Sequence, residues 1–243
     1  MMLNQAAMSK VSNHRVACVT GGAKRIGRAL VLALHQANYN IIIHYHTSES
    51  EAMELVDYCN AIRPQSAKSV QGDLEDFETL PQLTWRIINS FGRLDCLVHN
   101  ASRFYPTPFG QISQQDWQNL FLTNAQTPLF ISQYLYPYLK KSQGCIISIL
   151  DIHANGKPFG GYTVYNMAKA AHQMMVQSLA IELAPDIRVN GIAPGINILP
   201  MEGTEQALTA ETIEKICHAV PLKRIGTPQD IAQVAVFLAA APY

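Results

Sequence analysis

A tyrosine and a lysine stand four residues apart in Tyr165-Asn166-Met167-Ala168-Lys169, a spacing that puts both on one face of a helix. A free phenol has a pKa of about 10, too high for efficient proton exchange at neutral pH, and a neighbouring positive charge lowers it. Such a pair suits a reaction that builds negative charge on a heteroatom, as hydride addition to C=O or C=N does. By itself the pair is weak evidence, because these residue types meet at that spacing by chance. A second feature supplies context. The segment Val19-Thr20-Gly21-Gly22-Ala23-Lys24-Arg25-Ile26-Gly27 joins an apolar run to a helical pattern. Glycines there let main-chain amides approach a pyrophosphate, and the following helix N-terminus adds donors and a positive dipole end. The spacing from Gly21 to Gly27, with Thr20 in front, departs from G-x-G-x-x-G, and a plain strand-to-helix turn is the simpler reading. Its place after the first strand favours the dinucleotide. Lys169 can then also hold the nicotinamide ribose.

The end of the second strand selects between NAD and NADP. An NAD enzyme usually places an acid there for the ribose 2′-hydroxyl. Here the run is Ile41-Ile42-Ile43-His44-Tyr45-His46-Thr47-Ser48, with no acid until Glu49. Lys24 and Arg25 can reach the same region. Donors without a carboxylate suit a 2′-phosphate, so NADPH is expected, with Tyr45, His46, Thr47 and Ser48 lining its ribose end. The plainer reading of His44 and His46 is that of strand-end polar residues. Asp73-Leu74 follows the third strand, where the aspartate can accept from an adenine amino group or cap the next helix.

These residues need a scaffold. Short, nearly all-apolar runs at 16–20, 39–45, 67–71, 96–100, 145–150 and 187–193 read as strands covered on both faces. Helical patterns lie between them at 26–37, 49–62, 76–91, 115–140 and 162–183. Pro128 should kink or split the fourth of these, because proline removes a donor and clashes with the preceding turn. Thr227-Pro228-Gln229-Asp230 signals one more helix start. Alternating strands and helices imply a Rossmann-type doubly wound α/β sheet with right-handed crossovers, in one domain over residues 1–243.

Composition narrows the partners. Of 243 residues 48% are apolar and 15% charged, enough to bury a core, and 18 basic residues cancel 18 acidic ones. Zero net charge removes any broad drive toward nucleic acid or anionic membrane. No run approaches the ~20 apolar residues of a membrane span, and the first residues lack a signal peptide's apolar stretch. The five cysteines are scattered without a CxxC pair, which supports neither a disulfide framework nor a zinc site. A soluble cytoplasmic protein without a metal is expected.

Together the residues resemble the short-chain dehydrogenase/reductases over essentially the whole chain. The matching pieces are the Thr20–Gly27 loop, His99-Asn100-Ala101-Ser102, Asn124, Tyr165 with Lys169, and Pro194-Gly195. The resemblance implies that Asn100, Ala101 and Ser102 line the cofactor site, that Asn124 anchors a proton-relay water beside Lys169, and that Pro194-Gly195 passes along the nicotinamide. Read without it, Asn124 is a helix-interior amide that bends the chain before Pro128. Most members carry a serine 13 residues before the tyrosine, whereas here that position is Ile152, beside Asp151. Ser148 lies inside the strand and reads as structural. The aspartate, followed through Ser102-Arg103-Phe104-Tyr105-Pro106-Thr107-Pro108, is similar to the pteridine reductases. That subgroup implies Phe104 as a ring stacking a pterin against the nicotinamide, and Asp151, Tyr165 and Lys169 as the proton-delivery set. It also implies Ser102 and Arg25 as contacts to pterin or cofactor phosphates. A flat heteroaromatic suits a sandwich between planar groups.

Four departures stand out. Thr47 occupies a position where pteridine reductases carry arginine, which weakens the 2′-phosphate site. Asp151 lies 14 residues before Tyr165, one further than the usual spacing, which leaves its aim open. Asn197 replaces a small hydroxyl residue at the start of a substrate loop over 196–204. After the last helix the sequence stops at Ala-Pro-Tyr243, so the family's final strand is expected to be missing from the recorded chain. The expected activity is NADPH-dependent reduction of dihydropterins or dihydrofolate, with the oxidised forms as further candidates. A carbonyl reductase acting on a 3-oxoacyl or other ketone is the alternative, and a non-catalytic NADPH-binding sensor a third. The resemblance implies a homotetramer built on the fourth and fifth helices, whose apolar residues (Leu120, Phe121, Leu129, Phe130 and Ile131; Met174, Met175 and Leu179) point to more than one face.

Overall fold

A computed structural model describes residues 13–197 and 209–242. Its centre is a six-stranded sheet, β1 (Val16–Val19), β2 (Asn40–Tyr45), β3 (Ala67–Gln71), β4 (Cys96–His99), β5 (Cys145–Ile149) and β6 (Arg188–Ile192). The order across it is β3-β2-β1-β4-β5-β6, with every pairing parallel. The direction of winding reverses between β1 and β4. In open parallel sheets that reversal opens a crevice at the carboxyl ends of the strands, where ligands bind.

The expected α/β Rossmann-type fold is therefore present, and burial explains why the strands were legible. Every residue of β1, β2, β4 and β5 is buried, as all-apolar runs require, whereas the outer strands β3 and β6 are mixed. On one face α1 (Arg25–Gln36), α2 (Glu49–Ile62) and α8 (Pro228–Ala240) pack over the sheet through Leu30, Leu34, Leu55 and Ala235. The other face carries α3 (Leu80–Phe91), α5 (Thr127–Ser142) and α6 (Thr163–Glu182), through Leu83, Ile87, Leu135, Leu139 and Val176. Thr227 and Asp230 form a reciprocal capping box at the start of α8, as their order in the sequence signals.

One expectation about the elements is met and two are not. The long fourth helix is split into α4 (Gln114–Phe121) and α5 by a π-helical turn, Leu122–Gln126. The cause is Pro128: an α-helix would ask its amide to bond the Asn124 carbonyl four residues back, and proline has none to give. The segment rewinds, and Thr127 N–H reaches the Leu122 carbonyl five residues back. Such bulges are frequent at functional sites. The helix expected from Asp76 begins as a 3₁₀ turn, Phe77–Thr79, and becomes α-helical at Leu80. Finally α7 (Ala210–Ala219), capped by Thr209, was not foreseen. Its side chains are exposed or half-buried, so no buried stripe marks it. Among the described residues β6 lies at the edge of the sheet. Most of the expected substrate loop falls outside the described residues.

Candidate active site

The crevice is built first by main-chain packing. Thr20 accepts at Oγ1 from the amides of Asn100 (3.0 Å) and Ala101 (3.1 Å), and Asn100 Nδ2 returns bonds to the Thr20 and Gly21 carbonyls at 2.9 and 3.0 Å. These bonds lock the end of β4 to the glycine loop. Gly21 takes φ +59°, and a Cβ on Gly27 would stand 2.1 Å from the Gly21 carbonyl oxygen, so this loop closes only on glycine. Arg25, not a glycine, is also held in the left-handed region at φ 52°. That conformation costs on the order of 1 kcal/mol. α1 begins with no side-chain cap and no acidic residue in its first turn. The first amides of the helix, at Arg25, Ile26 and Gly27, therefore fit an anion such as a pyrophosphate.

The ribose end is less open than the sequence suggests. Lys24 is paired with Glu51 on α2, Nζ to Oε1 2.6 Å. Tyr45, expected to line the ribose end, is buried and packs in the core cluster that includes the α2 residues, since both faces of β2 are covered. His44 is fully buried, bonded to Gly21 N–H and the Gly72 carbonyl, and burial holds its pKa down to about 4. It is a neutral strut of the loop. His46 is exposed with Nε2 3.7 Å from an Asp73 carboxylate oxygen, and Thr47 is exposed beside it. Ser48 stands before α2 without making a side-chain cap. Asp73 accepts from Glu75 N–H rather than capping a helix, and Leu74 is buried with its carbonyl bonded by Thr127 Oγ1.

The chemical centre lies at the carboxyl end of β5. Tyr165 is almost fully buried on the first turn of α6 and donates its hydroxyl to Asp151 Oδ2 at 2.7 Å. The other carboxylate oxygen accepts from His153 N–H at 2.9 Å, which fixes the acid's aim at the phenol despite its extra residue of spacing. Ser148, one residue from the end of β5, faces away from the phenol and bonds His172. Lys169 is buried with Nζ on the Ile149 carbonyl at 2.9 Å, 5.9 Å from the Tyr165 ring centre. Without a bound nicotinamide, burial and not the lysine charge dominates the phenol. Burial first and the Asp151 charge second push Tyr165 far above its usual range, with the Ser102 hydroxyl pulling back. The phenol is held as a proton-bearing acid.

The neighbouring loops support this centre. Ser102 Oγ bonds Asn124 Oδ1 at 2.6 Å, and Asn124 Nδ2 donates to the Arg103 carbonyl at 2.9 Å. The Asn124 amide thus ties the loop after β4 to the π turn and makes no side-chain bond to Lys169. Phe104 is 54% exposed, stacked on Tyr162 at 4.6 Å and edge-on to Tyr165 at 4.8 Å. It stands at the mouth of the crevice. Pro194 and Gly195 follow β6, where the Pro194 carbonyl accepts from Ile152 N–H beside Asp151.

Sequence reasoning missed four supports. The Arg103 guanidinium forms a two-pronged ion pair with Glu75, which also accepts from Thr123, tying the Phe104 loop to the segment after β3 and to the π turn. Buried Thr107 bridges to Tyr162 and accepts from Val164 N–H, so the aromatic segment caps the helix that carries Tyr165. His99 and His172 are buried with ring centres 6.1 Å apart, and His172 lies one turn along α6 from Lys169. Only His172 had a visible signal, since Tyr165, Lys169 and His172 follow the i, i+4, i+7 stripe of one helix face.

The chain matches known proteins along most of its length. The family model described as enoyl-(acyl carrier protein) reductase matches residues 21–241. The chain is 34% identical to pteridine reductase 1 of Leishmania tarentolae, over 92% of this chain and 89% of that protein. It is 30% identical to a hydroxynaphthalene reductase of Aspergillus fumigatus (93% and 86% covered) and 32% identical to an uncharacterised oxidoreductase of Mycobacterium tuberculosis (94% and 86%). With its glycine loop, its Tyr165–Lys169 pair and this match along its length, the chain belongs to the short-chain dehydrogenase/reductase family, whose members are oxidoreductases using nicotinamide cofactors.

Proposed function

We propose that the protein is an NADPH-dependent pteridine reductase, acting as a single domain on dihydropterins or dihydrofolate. The observation that carries this reading is the 2.7 Å bond from the Tyr165 hydroxyl to Asp151, where most relatives place an alcohol, beside an exposed Phe104 ring. When bound in the crevice, reduced nicotinamide supplies the hydride. The chain's own groups do the rest. The unpaired amides at the start of α1 and the Arg25 guanidinium hold the pyrophosphate end, and Lys169 orients the ribose. Phe104 offers one flat face to a planar heterocycle. Tyr165, kept protonated by burial and by Asp151, would give its proton to the nitrogen of the C=N bond whose carbon takes the hydride. Lys169 then stabilises the phenolate until it is reprotonated. NADPH is favoured over NADH by Arg25 and by the lack of an acid at the end of β2, against which Thr47 and the Lys24–Glu51 pair weigh. The homotetramer is carried as part of the same proposal.

A ketone reductase is the second reading, supported by the hydroxynaphthalene reductase relative. Asp151 separates the two. The test is NADPH oxidation with dihydrobiopterin, dihydromonapterin, dihydrofolate and a 3-oxoacyl thioester, for wild type and Asp151→Ser. On pterins the variant should lose at least about tenfold in kcat, or ~1.4 kcal/mol of barrier. Turnover of the thioester with none of the pterins rejects the proposal.

A further inference from the structure

The segment that carries Phe104 belongs to no helix or strand: the chain runs irregularly from the end of β4 to Thr107. Its two ends are fixed through main-chain groups. Ala101 N–H donates to Thr20 Oγ1 at 3.1 Å, and Thr107 N–H to the Gly161 carbonyl at 2.7 Å. Between them, side chains from distant parts of the sequence hold the segment. Asn124 Nδ2 meets the Arg103 carbonyl at 2.9 Å. The Arg103 guanidinium reaches out to Glu75, with Nη2 2.8 Å from Oε2 and Nε on Oε1. A planar guanidinium bonded to both carboxylate oxygens has one orientation, which a lysine ammonium cannot reproduce.

Glu75 is itself held in place. Its N–H is bonded to Asp73 Oδ1 at 2.9 Å, and Oε1 accepts from Thr123 Oγ1 at 2.9 Å. The neighbouring Leu74 carbonyl accepts from Thr127 Oγ1 at 2.6 Å. Thr123 and Thr127, at either end of the π turn, thus pin both the acid and its main chain. Stability is a poor account of the ion pair. Its side chains are 44% and 24% exposed, and pairs that meet water contribute little to folding. What a two-pronged contact does supply is position, here for the residue that follows Arg103. The Phe104 ring lies stacked on Tyr162 and edge-on to Tyr165.

We propose that Glu75 and Arg103 are positioning residues for the substrate: their ion pair sets where the Phe104 ring stands at the mouth of the crevice, and with it the affinity for a flat substrate. The proposal rests on the reading of Phe104 as a stacking face. The chemical centre is bonded separately, Tyr165 to Asp151, Asp151 to His153 N–H, and Lys169 to the Ile149 carbonyl. Loss of the ion pair therefore weakens substrate binding and leaves turnover alone. NADPH affinity is kept, because the Asp73-Leu74 turn retains its own tie to Thr127.

Wild type, Glu75→Ala, Arg103→Ala, the double variant and Glu75→Gln are compared on dihydrobiopterin for KM and kcat. NADPH affinity by fluorescence quenching, melting temperature and hydrogen exchange by mass spectrometry accompany the kinetics. Each alanine variant should raise KM about tenfold, with kcat and NADPH affinity within about twofold. Melting temperatures should stay within about 3 °C of wild type. The double variant should do no more than either single one, since both remove the same contact. Glutamine keeps an acceptor for the guanidinium and should fall between wild type and alanine. Main-chain amides of residues 102–105 should exchange about tenfold faster in the alanine variants, and those of α6 at the wild-type rate. A wild-type KM, a loss in kcat that matches the rise in KM, additive effects in the double variant, or unchanged exchange over 102–105 overturns the proposal. A wild type that reduces no pterin counts against the functional reading alone. The same kinetics on a flat aromatic ketone then decide the ion pair's role, and the exchange measurement decides it where no compound turns over.

Discussion

At the residue scale, the site is an argument between burial and charge. Tyr165 and Lys169 are both removed from water, and burial moves both away from their charged forms: the phenol's pKa rises and the ammonium's falls to about 8, the latter partly opposed by Asp151. Tyr165→Phe should therefore reduce kcat by more than about a thousandfold, equivalent to ~4 kcal/mol, while leaving NADPH binding within twofold in a fluorescence titration. The lysine has a stability signature as well. Between pH 8 and its ordinary value of 10.5 the unfolded chain holds a proton that the folded protein has released, so stability rises with pH across that window. Below pH 8 the cost of burying the charge is present in full. Lys169→Met should accordingly be more stable than wild type at pH 7 by about 1–3 kcal/mol in urea unfolding, and inactive, with the advantage fading as pH is raised through 8 to 10.5. The same value places the basic limb of wild-type kcat/KM near pH 8 for the free enzyme.

At the scale of elements, two devices position these side chains. One is the π turn between α4 and α5, which exists because Pro128 cannot serve the Asn124 carbonyl. Pro128→Ala restores that donor, so the helix should run continuously and draw the carbonyl back into its own ladder. The expected result is a melting temperature at or above that of wild type, with kcat lowered about tenfold. A variant as active as wild type would show that the free carbonyl is idle. The other device is Thr107, whose buried hydroxyl accepts from Val164 N–H at the start of α6 at 3.2 Å. Thr107→Val keeps the shape and orphans that amide, which should cost about 1–3 kcal/mol in chemical unfolding. Because the same segment carries Phe104, KM for the pterin should rise more than kcat falls.

For the whole molecule, the open question is what covers its apolar helix faces. Leu120 and Ile131 are buried within the subunit, but Leu129, Met174 (60% exposed) and Ile181 (80% exposed) are left on the outer surfaces of α5 and α6. The proposed homotetramer would cover them. Sedimentation at micromolar concentration should show four chains, and Met174→Glu with Ile181→Glu should yield smaller species. A wild-type monomer would remove the idea. No helix among the described residues is long and apolar enough to cross a membrane. The sequence by itself determined the alternation of strands and helices, the glycine loop and the Tyr165–Lys169 pair, because apolar runs, glycine geometry and the i, i+4 repeat are local consequences of backbone structure. It also placed an acid near the phenol and a break near Pro128. Only the tertiary structure decided where Asp151 points, that Tyr45 and His44 are both buried, that Lys24 meets Glu51, and that His99 and His172 stand ring to ring in the interior. Those contacts join residues brought together by the order of strands in the sheet, and the separations along the chain carry no record of that order.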